Sequence, residues 1–244
     1  MASVNRVYSA LKDLANKDQR GFITPAIFNN FAQVAQMNLY NELFTNMELA
    51  KASRLRNTDP MGDKSKVKKI EEDLSVFIKT SVLSQASSVY DKPSDLSRII
   101  SATTAGSILL DQSTRTPIPF VYDSSKMDYI LLSRLSLPTE FAPVATVNEN
   151  IEVYPTTIKK IRLSYYKIPQ GLNPSTGART ASQPRFGYTV VAGKEVYSAA
   201  NSVDFELPEH YFAELVIEMA KLVGVNLRDQ DVYAYAQEEQ KTSI

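Results

Sequence analysis

The sequence contains no cysteine and one histidine in 244 residues. Without thiols there is no disulfide, no thiolate nucleophile and no thiolate metal site, and a single histidine excludes a His-rich metal centre or a two-histidine relay. Glycine is scarce, since 8 residues leave little material for loops that cradle phosphate. Neither charge is in excess: 27 Lys and Arg balance 27 Asp and Glu. A net charge of zero argues against a protein that grips phosphate backbones from free solution. No stretch approaches the roughly 18 uninterrupted apolar residues of a membrane span. The opening Met1-Ala2-Ser3-Val4-Asn5-Arg6 leads into an amphipathic pattern, so no secretory signal and no membrane partner are expected. What is present, 43% apolar and 9% aromatic residues, suits a soluble folded chain that is not an enzyme. The length fits one large domain or one domain carrying an insertion.

Val4, Val7, Tyr8, Leu11 and Leu14 recur at helical spacing and predict a first short helix that stops near Lys17-Asp18-Gln19-Arg20-Gly21. Thr24 then offers an N-cap and Pro25 a first helical turn. Phe28, Phe31, Ala32, Ala35, Leu39, Leu43, Met47 and Ala50 follow at steps of three or four, a stripe that predicts a long second helix ending before Asn57-Thr58-Asp59-Pro60-Met61-Gly62. A third helix is expected over 63–79, with Val67, Ile70, Leu74, Phe77 and Ile78 on its buried side. After Ser81 the texture changes to short apolar runs between Pro, Ser, Thr and Asn. Strands are expected at 118–122, 143–147, 151–154 and 160–166, where Ile161, Leu163 and Tyr165 form a covered face and Arg162, Ser164 and Tyr166 a wetter one. A helical piece over 124–135 interrupts them. Residues 170–185 carry almost no apolar side chain and read as a long loop, functional or ordered by a partner. Further strands are expected at 187–191, 195–197 and 202–205.

Pro208 opens a C-terminal helix whose stripe is Tyr211, Phe212, Leu215, Val216, Met219, Leu222 and Val223, with Gly224 as its stop. A last helix, with Val232, Tyr233 and Ala236, is expected over 229–241. Both terminal helical regions need a cover for their apolar stripes, and packing them together supplies it. The expected fold is therefore α+β: a helical bundle formed by the N- and C-terminal helices, with an inserted β-rich domain. Its divisions are 1–80, the N-terminal part of the bundle, 81–205, the insertion, and 206–244, the C-terminal helices. Phe28, Phe31, Leu215 and Met219 are expected bundle core. Residues 1–80 hold 12 Lys or Arg against 9 Asp or Glu, and residues 206–244 hold 3 against 8, so the two ends attract, within a chain or between neighbours.

A search for chemistry returns structural readings. His210, between Glu209 and Tyr211, is imaginable as a general base beside a carboxylate, but no second histidine, cysteine or nucleophile elbow partners it. Capping or surface use is favoured. Glu71-Glu72-Asp73 is adjacent acid on a helix, whose side chains diverge where a hard cation needs converging oxygens; a solvated face is expected. Asp229 and Asp231 read as caps of the last helix. Lys64, Lys66, Lys68 and Lys69, and the smaller group Lys159, Lys160 and Arg162, face either a DNA backbone or solvent, and the acids that follow the first run favour solvent. Thirteen tyrosines, Tyr165-Tyr166 and Tyr233 among them, supply either interface anchors or ordinary core. No Walker loop, dinucleotide fingerprint, HExxH or EF-hand pattern occurs. No catalytic, cofactor-binding or metal residue is assigned, and no cofactor is expected.

The segment Asn16-Lys17-Asp18-Gln19-Arg20-Gly21-Phe22-Ile23-Thr24-Pro25, with Phe28-Asn29 and Ala35-Gln36, resembles the N-terminal part of virion structural proteins of crAss-like and related short-tailed phages. Pro143-Val144-Ala145, Ile151-Glu152-Val153-Tyr154-Pro155, the stretch from Ile161 to Tyr165, Pro169, and Leu207-Pro208-Glu209 with its helix to Gly224 are similar to the head-to-tail connector family, the broader group that includes tail tubular protein A. The resemblance implies a bundle bearing a β domain, repeated as a twelvefold homo-oligomeric ring between portal and tail. It further implies portal protein and neighbouring tail or ring proteins as partners, and genomic DNA passing through the lumen without sequence-specific binding. The expected place is the virion, after assembly in the host cytoplasm, with the bundle closing the ring and the β section and residues 170–185 touching the next layer. Competing readings are a DNA-binding packaging or ejection accessory, which requires salt-sensitive DNA affinity, and a hydrolase, which requires a converging carboxylate pair.

Overall fold

Thr24 accepts a hydrogen bond from the Ile27 N–H (3.3 Å) and so caps the longest helix, α2 (Pro25–Leu55), as Pro25 and the apolar stripe demand. It is preceded by α1 (Val4–Lys17) and followed by α3 (Gly62–Ser75). The computed structural model describes residues 2–17, 23–55, 62–86, 88–105 and 115–226. The expected terminator at 18–21, most of the turn at 57–62 and the last helix at 229–241, with Asp229, Asp231, Val232, Tyr233 and Ala236, lie outside the described residues. So do the side chains of Lys64 and Lys66.

Two compact units emerge, one from the described residues of Met1–Asp73 and Pro169–Ile244, the other from Leu74–Ile168. In the first, α1 and α2 both pack on α5 (Phe212–Asn226), which a single 3-10 turn, Glu209–Tyr211, introduces. Phe28, Leu215 and Met219 are fully buried, and Phe31 is half-buried at the margin. Gly224 lies inside α5 and does not end it, because an interior glycine costs a helix only about 1 kcal/mol. The N-terminal backbone joins this unit like a strand: Ala2 donates to Leu207 C=O (3.0 Å) and accepts from Phe205 N–H (3.2 Å).

The second unit is β-rich. β1 (Ile78–Ser84), β2 (Leu96–Thr104), β3 (Pro117–Ile118) and β7 (Lys160–Lys167) form a four-stranded sheet in the order β1-β7-β2-β3. β4 (Phe120–Val121), β5 (Val144–Val147) and β6 (Ile151–Tyr154) form a three-stranded one, and α4 (Ser124–Leu132) lies between β4 and β5 in the chain. Along β7, Ile161, Leu163 and Tyr165 are fully buried while Arg162, Ser164 and Tyr166 are half-buried, the alternation a one-sided sheet requires. These residues share a core with Tyr90, Ala102, Ile118, Ala145, Ile151 and Val153. The buried Tyr90 hydroxyl donates to Ile158 C=O (2.6 Å), and burial pushes its pKa up to about 12.

The fold class is as the sequence implies, α+β with helices and an inserted β-rich region, but two boundaries differ. The third helix stops at Ser75, where Phe77 N–H closes a turn on Leu74 C=O (3.0 Å), and Ile78 begins β1 instead of completing a helical stripe. Seven residues of ladder with β7 outweigh local periodicity there. The insertion ends at Ile168, not at 205, because the strands from 171 onward pair with one another: β8 (Gly171–Leu172) joins β9 (Arg179–Thr180) and β12 (Asp204–Phe205), and β10 (Tyr188–Val191) joins β11 (Lys194–Tyr197).

Candidate assembly surfaces

Residues 170–185 are not a free loop. Gln36, fully buried on α2, donates from Nε2 to Gln170 C=O (3.1 Å) and accepts at Oε1 from Glu206 N–H (2.9 Å). Glu206, also fully buried, accepts from Gln170 N–H (3.0 Å) and pairs with Arg179 Nε (2.8 Å). Asn29 holds Phe186 through both backbone groups, and Arg185 and Val203 form an isolated bridge. The segment needs few apolar residues beyond the buried Leu172, because its polar backbone is bound by buried polar side chains. Its tip, residues 175–179, stands in solvent, as do Ala181, Ser182 and Arg185. Gly171 permits the approach, since a Cβ there would lie 2.0 Å from the Val203 side chain.

Asp73, His210 and Tyr211 come together. Asp73 is buried, a correction to the solvated face expected for 71–73, whereas Glu71 and Glu72 are exposed. Its Oδ2 accepts from the Tyr211 hydroxyl (2.6 Å), and its Oδ1 lies 3.1 Å from His210 Nε2. Burial first, then the Asp73 hydrogen bond and the charges of Asp73, Glu214 and Glu42, push the Tyr211 hydroxyl far above its ordinary pKa. A phenol so held is a hydrogen-bond donor, not a base. The arrangement clamps the entry turn of α5 to α3.

Beside this clamp, Leu39, Leu43, Ile70 and Ile217 line a cleft of about 170 Å³ together with Glu42, Glu214, Glu218 and Lys221. Glu218 accepts from Asn38 (2.7 Å) and pairs with Lys221 (3.2 Å). Among the described residues no group of three or more His, Asp or Glu could hold a metal ion, and no helix is long and apolar enough to cross a membrane.

The described members of the basic groups lie at or near the surface. Lys68 pairs with Glu72 one turn on (3.7 Å), and Lys69 is exposed. Lys159 donates to Gln85 Oε1 (2.9 Å), while Lys160 and Arg162 lie along β7. Tyr165 is core, its hydroxyl bonded to Asp95 (2.8 Å), and Tyr166 is half-buried on the other face. Between the charged ends, Arg6 pairs with Glu209 and stacks over Phe212.

Sequence reasoning missed a run of exposed apolar side chains among the described residues. From α4 onward, Tyr129 is 76% exposed, Leu132 83%, Leu135 100% and Phe141 90%, with Tyr122 and Leu137 also exposed. Met127 is the one buried residue of α4. Asp123 caps the helix by accepting from Ser125 and Lys126 N–H, so it is a formed element with an apolar exterior. The only legible signal was Leu132, Leu135, Leu137 and Phe141 without a matching amphipathic partner. A second exposed group lies in the other unit, at Val190, Val191 and Val196 of the β10–β11 hairpin. Soluble monomers rarely expose contiguous apolar patches without an interaction to cover them. No family model and no curated protein matches this chain.

Proposed function

We propose that this chain is a non-enzymatic virion structural protein of a short-tailed phage, forming a homo-oligomeric ring in the head-to-tail connector or tail. The ring, twelvefold by the resemblance of the sequence, joins portal to tail and encloses the DNA conduit. The observation that carries the reading is exposed apolar surface on both units, at 122–141 and at the β10–β11 hairpin. Two different sticky patches on one subunit suit heterologous, head-to-tail contacts, which close into rings. A formal net charge of zero agrees with a conduit that passes DNA without holding it.

The test is native mass determination of the purified protein, alone and with portal, followed by negative-stain imaging. A ring with a central hole is the expected result. A strict monomer without affinity for portal or for phage particles overturns the reading, and steeply salt-dependent DNA binding by isolated subunits replaces it with the packaging or ejection accessory.

A further inference from the structure

β1 is an edge strand, and the atoms that leave it free can be named. Lys167 N–H donates to Phe77 C=O (2.8 Å) and Gln85 N–H to Lys159 C=O (2.9 Å) at its two ends. In an antiparallel ladder hydrogen-bonded pairs alternate, so the odd-numbered residues of β1 bond β7. The N–H and C=O groups of Ile78, Thr80, Val82 and Ser84 therefore point away from the sheet, and among the described residues no backbone hydrogen bond reaches them. This edge lacks the usual protections. It has seven residues, no proline and no bulge, and its one charge, Lys79, is drawn to Asp95 (2.7 Å).

The β10–β11 hairpin has the same property. Ser198 N–H donates to Gly187 C=O (2.9 Å), which sets the parity and leaves the backbone groups of Tyr188 and Val190 pointing outward from β10. The two strands make a sheet of their own, turned by Ala192 and Gly193, both at positive φ. An isolated two-stranded hairpin is marginal in water, and this one exposes apolar side chains on both faces, Val190 (65%) on one and Val191 and Val196 on the other. Lys194 and Glu195 protect the edge of β11, whereas β10 reads Tyr-Thr-Val-Val without charge.

We propose that β10 of one copy adds antiparallel to the free edge of β1 of the next copy, extending the four-stranded sheet to six strands across the subunit boundary. Residues directly opposite in a ladder share a face. The pairing sets Tyr188 and Val190 beside Thr80 and Val82, so that exposed Val82 and Ile78 gain apolar neighbours. Charge complements this: the β1 face continues onto Arg162 and Lys160 of β7, opposite Val82 and Ser84, and the Val190 face continues onto Glu195. A second copy is the occupant because both unprotected edges, with matching faces and opposite charges, belong to one chain. The inference rests on the reading that copies of this chain touch one another.

The native protein has no cysteine, so introduced thiols report without background. Val82→Cys and Val190→Cys are mixed under assembly conditions and treated with a short thiol-specific cross-linker. The expected product is the mixed dimer, with little product from either variant alone. Thr80→Pro removes an N–H that makes no ladder bond with β7, and Val190→Lys places a charge on the β10 edge. Each is expected to weaken assembly by about tenfold or more, the equivalent of one or two net backbone hydrogen bonds, with an unchanged thermal midpoint. A Val82→Cys product with itself, or assembly by mass without the mixed product and indifferent to both Thr80→Pro and Val190→Lys, overturns the edge pairing and leaves the ring standing. A protein that stays monomeric at every concentration overturns both.

Discussion

Gln36 occupies a position where the α2 stripe predicts a neighbour of the core, and its amide answers two buried backbone groups, Gln170 C=O and Glu206 N–H. Gln36→Leu keeps the volume and leaves both groups without those bonds. The expected loss is about 1–3 kcal/mol of unfolding free energy in urea titration, whereas the exposed neighbour Gln33→Leu is expected to be near neutral. A second residue-scale expectation concerns Asp95. Burial, the largest influence, pushes its carboxyl up, but hydrogen bonds from Lys79 and Tyr165 and the Lys79 charge bring it below the ordinary value. Lys79 is raised, chiefly by its hydrogen bond to Asp95. A lowered carboxyl stabilises above its unfolded pKa of about 4 and loses that stability as pH falls through the folded value. A raised ammonium stabilises below about 10.4 and loses it as pH rises through the folded value. Asp204 runs the other way at the acid end, because burial raises its pKa. The difference between wild type and Asp95→Asn in urea midpoint is therefore expected to be constant near neutrality and to shrink below about pH 4. None of these partnerships was legible in sequence, where Gln36 and Glu206 are 170 positions apart.

At the scale of elements, periodicity served where one face of an element is buried by its own chain. α1, α2, α5 and β7 follow their apolar spacing, and Leu215, fully buried on α5, marks the contact with α1 and α2. Leu215→Ala is expected to cost about 2–5 kcal/mol, read as a lower denaturant midpoint with the slope retained. β1 and β2 escaped notice for a physical reason. Ile78-Lys79-Thr80-Ser81-Val82-Leu83-Ser84 alternates weakly, since Ser81 and Leu83 on its inner side are only half-buried. β2 loses its period at shifts between Leu96 and Arg98 and between Ile99 and Ser101. Both are strands because β7 lies between them, and pairing at a separation of tens of residues leaves no local trace.

For the whole molecule, the exposed apolar segment bears most directly on the proposed ring. Leu135→Asp with Phe141→Asp changes two side chains that touch solvent, so monomer stability is expected to stay within about 0.5 kcal/mol. Assembly measured by native mass is expected to fail if this surface closes the ring. Sequence by itself determined the α+β class, the covering of the N- and C-terminal helices by one another, and the lack of thiol and multi-histidine chemistry. Each depends on composition or on spacing within one element, which a chain carries wherever it folds. Tertiary structure alone decided where the insertion ends, that the polar stretch 170–185 is held by Gln36 and Glu206, that Asp73 is a buried clamp, and which strand edges remain open. Those outcomes depend on which distant backbone groups find one another, and hydrogen-bond satisfaction across the fold has no periodic signature along the chain.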